Sequence, residues 1–456
     1  MPNIKIHFLG AAGTVTGSKY LLETPEHTIM VDCGMFQGLK ELREQNWKAL
    51  PFDASKIDTV LLTHGHLDHT GYLPRLVKQG FNGKIIATAP TLAVTEIILL
   101  DSAKIHEEES ERANKEGYSK HHPAIPFYTM EDAKKTLGLT QNATKDVWHS
   151  LSENIQYRFR YNGHIIGATF IELDIFGKTF VFSGDIGRND DLLLYPPEKP
   201  EWADYLFLES TYGNKLHPKE SVSEKLVELI NQTIRERGTL IIPSFAVERL
   251  QALMFILWKL YKERRIPNIP IFIDSPMGNN VLSVFERFPD WCKIEPSQFT
   301  AMQQRMSIIT SYKETWETID DPRPKIVIAG SGMITGGRVL TYLKQLIDEA
   351  TTSVLMVGYQ AEGTRGRQLL EGAHELKFFG KYYPVKAKIY HIDSLSAHAD
   401  QAGILDWLGE IKNIPENTFL VHGEPTALDA LRVKIKDTFS WKITIPKLNE
   451  VLEIMI

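Results

Sequence analysis

Between Thr63 and Thr70 the sequence reads His64-Gly65-His66-Leu67-Asp68-His69, three imidazoles and a carboxylate within six positions. Donors of that kind suit a borderline divalent cation such as zinc, bonded at about 2.0–2.2 Å. Four of them in one tight segment can serve two cations at once. Residues at i, i+2, i+4 and i+5 point in different directions around a helix, so the segment is expected to form a loop. Upstream, "IDTVLLT" is an apolar, β-branched strand; downstream, "YLPRLVKQG" has helical spacing and a glycine stop. The donors therefore belong at the carboxyl end of a buried strand, where open sheets place their ligand sites.

Further residues of ligand type stand at strand ends or glycine turns: His164 in "YNGHIIGA", Asp185 in "FSGDIGR", His398 in "LSAHAD" and His422 in "LVHGE". Each alone could be a structural polar group; together with the first loop they argue for one centre. Asp32 ends the strand-like "TIMVD". His106, His121 and His122, in or beside the charged helix read over 91–116, are taken as surface or helix-end histidines. "GAAGTVTG", residues 10–17, has the glycine rhythm of a dinucleotide turn. Strand-like "KYLLE" follows where a helix would be needed, so it reads as a hairpin turn.

The elements that must hold these residues fall into two textures. The first half is a series of short β-like runs, among them "IKIHFLG", "HTIMVDCG", "IQYRFRY" and "KTFVFSGD". From residue 239 the chain repeats strand, tight loop and helix, in "TLIIPSFAVERLQALMFILWKLYKE", "IPIFIDSPMGNNVLSVFERF", "KIVIAGSGMITGGRVLTYLKQLI" and "SVLMVGYQAEGTRGRQLLEG". That is the pattern of a parallel sheet covered by helices. After residue 390 strands ending on histidines return. The expected organisation is a domain over 1–208, an inserted domain over 209–394, and a return to the first over 395–456.

Composition narrows the function classes. A net charge of -6 on 456 residues argues against a uniformly basic nucleic-acid coat. Cys33 and Cys292, the only two cysteines, are too far apart for a disulfide framework or a zinc knot and fit a reducing cytoplasm. No apolar run approaches the roughly 18 residues of a membrane span, so no membrane partner is expected.

The order of "HGHLDH", a later histidine, a later aspartate and a final histidine resembles the metallo-β-lactamase fold. "ESTYGN", "SLSAHAD" and "VHGE" resemble the added motifs of the β-CASP nucleases, which include RNase J and the nuclease subunit of the cleavage and polyadenylation specificity factor. The similarity runs over essentially the whole chain. It implies an α/β architecture: a metallo-β-lactamase αββα sandwich with an inserted β-CASP domain. Carried over by position, it gives one zinc to His64, His66 and His164 and the other to Asp68, His69 and His422. Asp185 bridges the two, and Asp32 holds ligand histidines from behind. His398, hydrogen-bonded to Glu209, would protonate the leaving oxygen, with Asp68 completing the catalytic set.

The activity implied is a zinc-dependent ribonuclease, hydrolysing phosphodiester bonds of single-stranded RNA by a two-metal mechanism, with Mn²⁺ as the alternative to Zn²⁺. Paired cations about 3.5–4 Å apart attract a phosphodiester, activate water and stabilise the phosphorane. The alternatives are a 5′-exoribonuclease of the same family and a small-molecule ester or thioester hydrolase of the fold. The latter resembles the first domain alone. A glutamate in place of His66 would point to a di-iron oxidoreductase, and missing ligands to a scaffold; neither departure is present. A histidine at 422 marks RNA-acting relatives, where DNA-repair relatives usually carry valine. The chain starts in its first strand and stops soon after His422, so further RNA-binding domains are not expected, which favours a compact endonuclease. A homodimer is the candidate assembly. In the inserted domain, Ser331, Thr335 and Arg338 of "GSGMITGGRVL", with Arg365 and Arg367 of "AEGTRGR", sit at glycine-rich turns before helices and are read as phosphate contacts.

Overall fold

Strand Asn3–Phe8 alternates half-buried and buried residues, its isoleucines and phenylalanine turned to one side. That alternation places it against a second sheet. The computed structural model describes residues 2–117 and 122–456, so His121 lies outside the described residues. The chain divides into two compact units, Met1–Leu216 with His398–Ile456, and His217–Ala397. The expected borders at 208/209 and 394/395 differ from these for a physical reason. Glu209 closes a strand, Tyr205–Glu209, whose register with Asn417–Val421 fastens it to the first unit.

Among its described residues the first unit holds two seven-stranded sheets. One runs Val451–Met455, Asn3–Phe8, Tyr20–Glu23, Thr28–Val31, Thr59–Leu61, Lys84–Ala87, Thr140–Asn142. The other runs Ile443–Thr444, Asn417–Val421, Tyr205–Glu209, Lys178–Phe182, Thr169–Ile175, Ile155–Tyr161, His149–Ser150. Ile6 and Phe8 of the first share a core with Phe182, Phe207 and Phe419 of the second. The Phe182 and Phe207 rings stack at 4.1 Å between centroids. Each such ring withdrawn from water contributes roughly 1.5–3 kcal/mol.

Helices cover the outer faces. Leu73–Lys78, Ala89–Glu116 and Met130–Leu137 pack Leu76, Leu99 and Ala133 on the first sheet's Met30, Val60 and Ile85. Gln401–Leu408 and Pro425–Phe439 pack Trp407 and Leu431 on the second sheet's Leu206 and Leu420. The result is an αββα sandwich. The central strands of each sheet run parallel, Thr28–Val31 with Thr59–Leu61 and Lys178–Phe182 with Tyr205–Glu209 and Asn417–Val421, so their carboxyl ends share an edge within each sheet. Residues 10–17 connect the antiparallel pair Asn3–Phe8 and Tyr20–Glu23, a hairpin connection and not a strand-to-helix turn.

The second unit's described residues form a six-stranded parallel sheet in the order Ser307–Ile308, Ile271–Asp274, Lys325–Ala329, Thr239–Pro243, Ser353–Val357, Lys388–Ile392. Three of these strands are buried at every position, as continuous apolar runs covered by helices on both faces must be. Among the described residues no helix is long and apolar enough to cross a membrane.

Candidate metal centre

The donor side chains of the first unit stand where strands run out. His64 follows Thr59–Leu61, His164 follows Ile155–Tyr161, Asp185 follows Lys178–Phe182, and His422 directly follows Asn417–Val421. The segment expected to be a loop throughout is a loop only as far as His66. His66 has extended backbone and caps a single helical turn, Leu67–Thr70, which carries Asp68 and His69. The objection that one helix could not aim four donors together holds for a continuous helix; here the backbone changes direction at the second donor. Gly34 lets the turn pack closely, since a Cβ there would lie 1.5 Å from the Asp68 carbonyl oxygen.

Two groups of donors result. In the first, His66 Nδ1 lies 3.0 Å from His64 Nε2 and 3.2 Å from His164 Nε2. Asp185 Oδ2 is 3.4 and 3.3 Å from the same two Nε2 atoms. Donors at the corners of a tetrahedron with zinc-like bonds stand about 3.3 Å apart. In the second group His422 Nε2 is 3.3 Å from His69 Nε2 and 3.4 Å from Asp68 Oδ2. The other oxygen of Asp185, Oδ1, turns to this group, 3.3 Å from His69 Nε2. It is buried and accepts no hydrogen bond.

The electrostatics favour donation. Burial, reinforced by neighbouring imidazoles, holds His64 and His164 well below the ordinary histidine range and His66 at about 4. Neutral rings keep a lone pair to give. Burial alone would raise Asp185, but the histidines around it, His422 and His69 foremost, hold it well below the carboxylate range. Burial disfavours charge on His69, but Asp185 and Asp32 outweigh it and hold that ring well above the ordinary histidine range, so a cation bound there would take the place of its proton. The residues fit a pair of zinc-type ions.

A layer behind these donors aims them. Asp32 Oδ2 lies 2.7 Å from His69 Nδ1, and its Oδ1 accepts from the Thr63 amide at 2.8 Å. That fixes the ring with Nε2 facing the centre. Thr63 Oγ1 stands 3.1 Å from His64 Nδ1, and Thr211 Oγ1 3.1 Å from His422 Nδ1. Asn162 Nδ2 donates to the carbonyls of Ser183 and Asp185, each at 2.6 Å, and so pins the turn that presents Asp185. The sequence reading missed Thr63, Thr211 and Asn162. Each adjoins or lies within a quoted motif, but the partner that gives it meaning is remote for Asn162 and Thr211. Asp32→Ala is expected to weaken metal binding about 10- to 100-fold while the fold persists. A chelator competition with melting curves checks this, and an unchanged metal affinity would refute the aiming role.

His398 Nδ1 lies 3.1 Å from Glu209 Oε1 and 3.2 Å from Oε2, and His398 Nε2 is 3.9 Å from Asp185 Oδ2. Glu209 is itself fixed by the Ile186 amide at 2.6 Å. Burial disfavours charge on His398, but Glu209 and then Asp185 outweigh it and push its pKa up to about 9. The helix Gln401–Leu408 is capped by Asp400, which accepts from the Gly403 amide, so His398 does not cap it. His106 packs edge-on against Phe127 and Tyr128 and His122 is exposed; neither belongs to a donor group.

The residues read as phosphate contacts lie in the second unit; Thr335 is exposed, and the others have partners within the unit. Ser331 Oγ accepts from the amides of Thr335 and Gly336, closing the glycine-rich turn on itself. Arg338 Nη1 donates to Thr315 Oγ1 at 2.7 Å. Arg365 donates to the carbonyls of Lys377 and Ile334, and Arg367 lies 3.8 Å from Glu371. The reading from spacing did not anticipate these internal partners of Arg338 and Arg365.

Comparison with known proteins agrees with this geometry. Residues 12–138 match the metallo-beta-lactamase superfamily, 250–369 the Beta-Casp domain, and 382–446 the Zn-dependent metallo-hydrolase RNA specificity domain. The chain is 34% identical to a ribonuclease of Thermus thermophilus, over 92% of this chain and 94% of that one. It is 29% identical to the transcription termination factor FttA of Methanocaldococcus jannaschii, over 94% and 72%. An RNase J-like protein of the same organism is 28% identical over 92% and 93%. A solved structure of a protein of unknown function from Enterococcus faecalis shares the fold, with a TM-score of 0.53 at 12% identity, over 99% of this chain and 100% of that one.

Proposed function

The chain belongs to the β-CASP family of metallo-β-lactamase ribonucleases, metal-dependent hydrolases, and from that premise we infer that it hydrolyses phosphodiester bonds of single-stranded RNA with two zinc ions. The observation that carries the two-ion reading is the division of Asp185, one oxygen toward His64 and His164 and the other toward His69. His64, His66 and His164 would hold one ion and Asp68, His69 and His422 the other. When bound, the pair supplies Lewis acidity for the phosphoryl oxygen and a water acidic enough to attack near neutral pH.

The chain's own residues do the rest. Asp32, Thr63 and Thr211 hold ligand rings at their Nδ1 atoms. Glu209 accepts from His398 Nδ1, which leaves Nε2 on the open side of the ring as the proton donor to the departing oxygen. The test is digestion of RNA labelled at the 5′ end and, separately, at the 3′ end. Internal cutting, the expected mode, gives fragments of intermediate length from both labels. Release of mononucleotides from the 5′ label alone would assign a 5′-exonuclease instead.

RNA is expected to be cleaved in preference to single-stranded DNA of the same sequence. The support is His422, which stands beside His69 and Asp68 as part of the second donor group, the position where DNA-repair relatives usually carry valine. Parallel turnover measurements decide it; equal rates on the two polymers would count against the reading.

A further inference from the structure

In the second unit the helix Tyr312–Asp320 turns two large rings to solvent, Tyr312 at 53% exposure and Trp316 at 44%. They stand one helical turn apart, on one face. Beneath Tyr312 lies Arg338, its guanidinium carbon 3.6 Å from the ring centroid. A buried network holds that guanidinium in place. Thr315 Oγ1 accepts from Arg338 Nη1 at 2.7 Å, and Arg338 Nε lies 3.8 Å from Asp274 Oδ1. Asp274 is fully buried and its other oxygen accepts from Thr315 and Tyr342, at 2.6 and 2.9 Å. Burying a carboxylate is costly, and here it fixes a cation under one face of a ring whose exposed remainder faces water.

We propose that Tyr312 and Trp316 form a stacking platform for bases of single-stranded RNA, with Arg338 as its backing. The proposal rests on the ribonuclease reading above. Two side chains cannot supply the about 800 Å² per partner that a stable dimer needs, whereas a planar base needs little more than one ring. The charges on the helix argue for bases over phosphates. Lys313 faces Glu317 at 3.7 Å and Arg323 pairs with Asp321 at 2.7 Å, so these cations are already matched and what the face offers RNA is the π surface of its rings. Every base has a π face, so the contact tolerates any sequence.

The experiment uses the metal-loaded enzyme and a mixed-sequence, 5′-labelled single-stranded RNA, following cleavage across salt concentrations. Tyr312→Ala is expected to raise KM about 5- to 100-fold, from the known worth of a base stacked on an aromatic ring, with kcat within about twofold. Trp316→Ala should act likewise, and Tyr312→Phe should keep the wild-type KM. The slope of log KM against log salt should not change, whereas loss of one phosphate contact would reduce it by about 0.7. An unchanged KM in both alanine variants overturns the proposal, as does a reduced salt slope. A wild-type dimer that Tyr312→Ala converts to a monomer in light scattering also overturns it, by assigning the face to a second copy. If the wild type cuts no RNA, the ribonuclease reading falls and this one with it. If it cuts RNA and the variants match it, this one falls alone.

Discussion

Replacing Asp185 with alanine is expected to strip the centre of both cations and to lower RNA cleavage about 10⁴-fold or more. The reason is positional. Its two oxygens face different donor groups at 3.3–3.4 Å, so a single truncation removes a donor from each. A metal ion supplies several kcal/mol of charge stabilisation in phosphoryl transfer, and each 1.4 kcal/mol is about tenfold in rate. Asp68→Ala touches the second group alone and should leave close to one ion per chain. Elemental analysis of the purified proteins, beside a cleavage assay and a melting curve, separates the cases. The wild type should carry close to two ions. A fully active wild type holding one ion after saturation with zinc would sink the two-metal mechanism, and an Asp185→Ala protein that keeps two would remove the bridge.

The residues gathered at this centre were legible because metal chemistry leaves a local mark. Three histidines and an aspartate in six positions have little structural use, and strand-end histidines recur in a fixed order. The parallel sheet of the second unit was equally legible, since the strand Lys325–Ala329 is apolar at every position after its first. What stayed hidden depends on partners remote in sequence. The helical turn that carries Asp68 and His69 is set by backbone pairing with the strand-end loop, where the Cys33 amide donates to the His69 carbonyl and the Met35 amide to that of Leu67. Nothing in "HGHLDH" encodes that pairing. Asn162 gains its role from Ser183 and Asp185. The internal partners of Arg338 and Arg365 were hidden for the same reason. A glycine-rich turn looks open in a sequence, and tertiary hydrogen bonds close it.

His398→Ala is expected to keep its metals and its RNA affinity yet lose roughly 10²–10⁴-fold in rate. The seven donors of the two groups are accounted for without it, and its ring sits beside them with Nε2 3.9 Å from Asp185 Oδ2. Glu209, buried and 3.1 Å from Nδ1, holds the tautomer. Glu209→Gln should therefore lose less rate than His398→Ala and shift the pH profile. The sign follows from the acid role. A proton donor works in its charged form, present below its pKa and lost as pH rises through it. Burial pulls His398 down, Glu209 and Asp185 push it up, and the balance is about 9. Cations drawing on the Asp185 charge weaken that pull, so the basic limb of the loaded enzyme belongs below 9. Without the Glu209 charge it should move lower still, toward the ordinary histidine range, while the metal content stays unchanged. A structural histidine would alter stability or metal loading and leave the basic limb where it was. Near-normal cleavage by His398→Ala at neutral pH would remove it as the acid and leave solvent as the proton source.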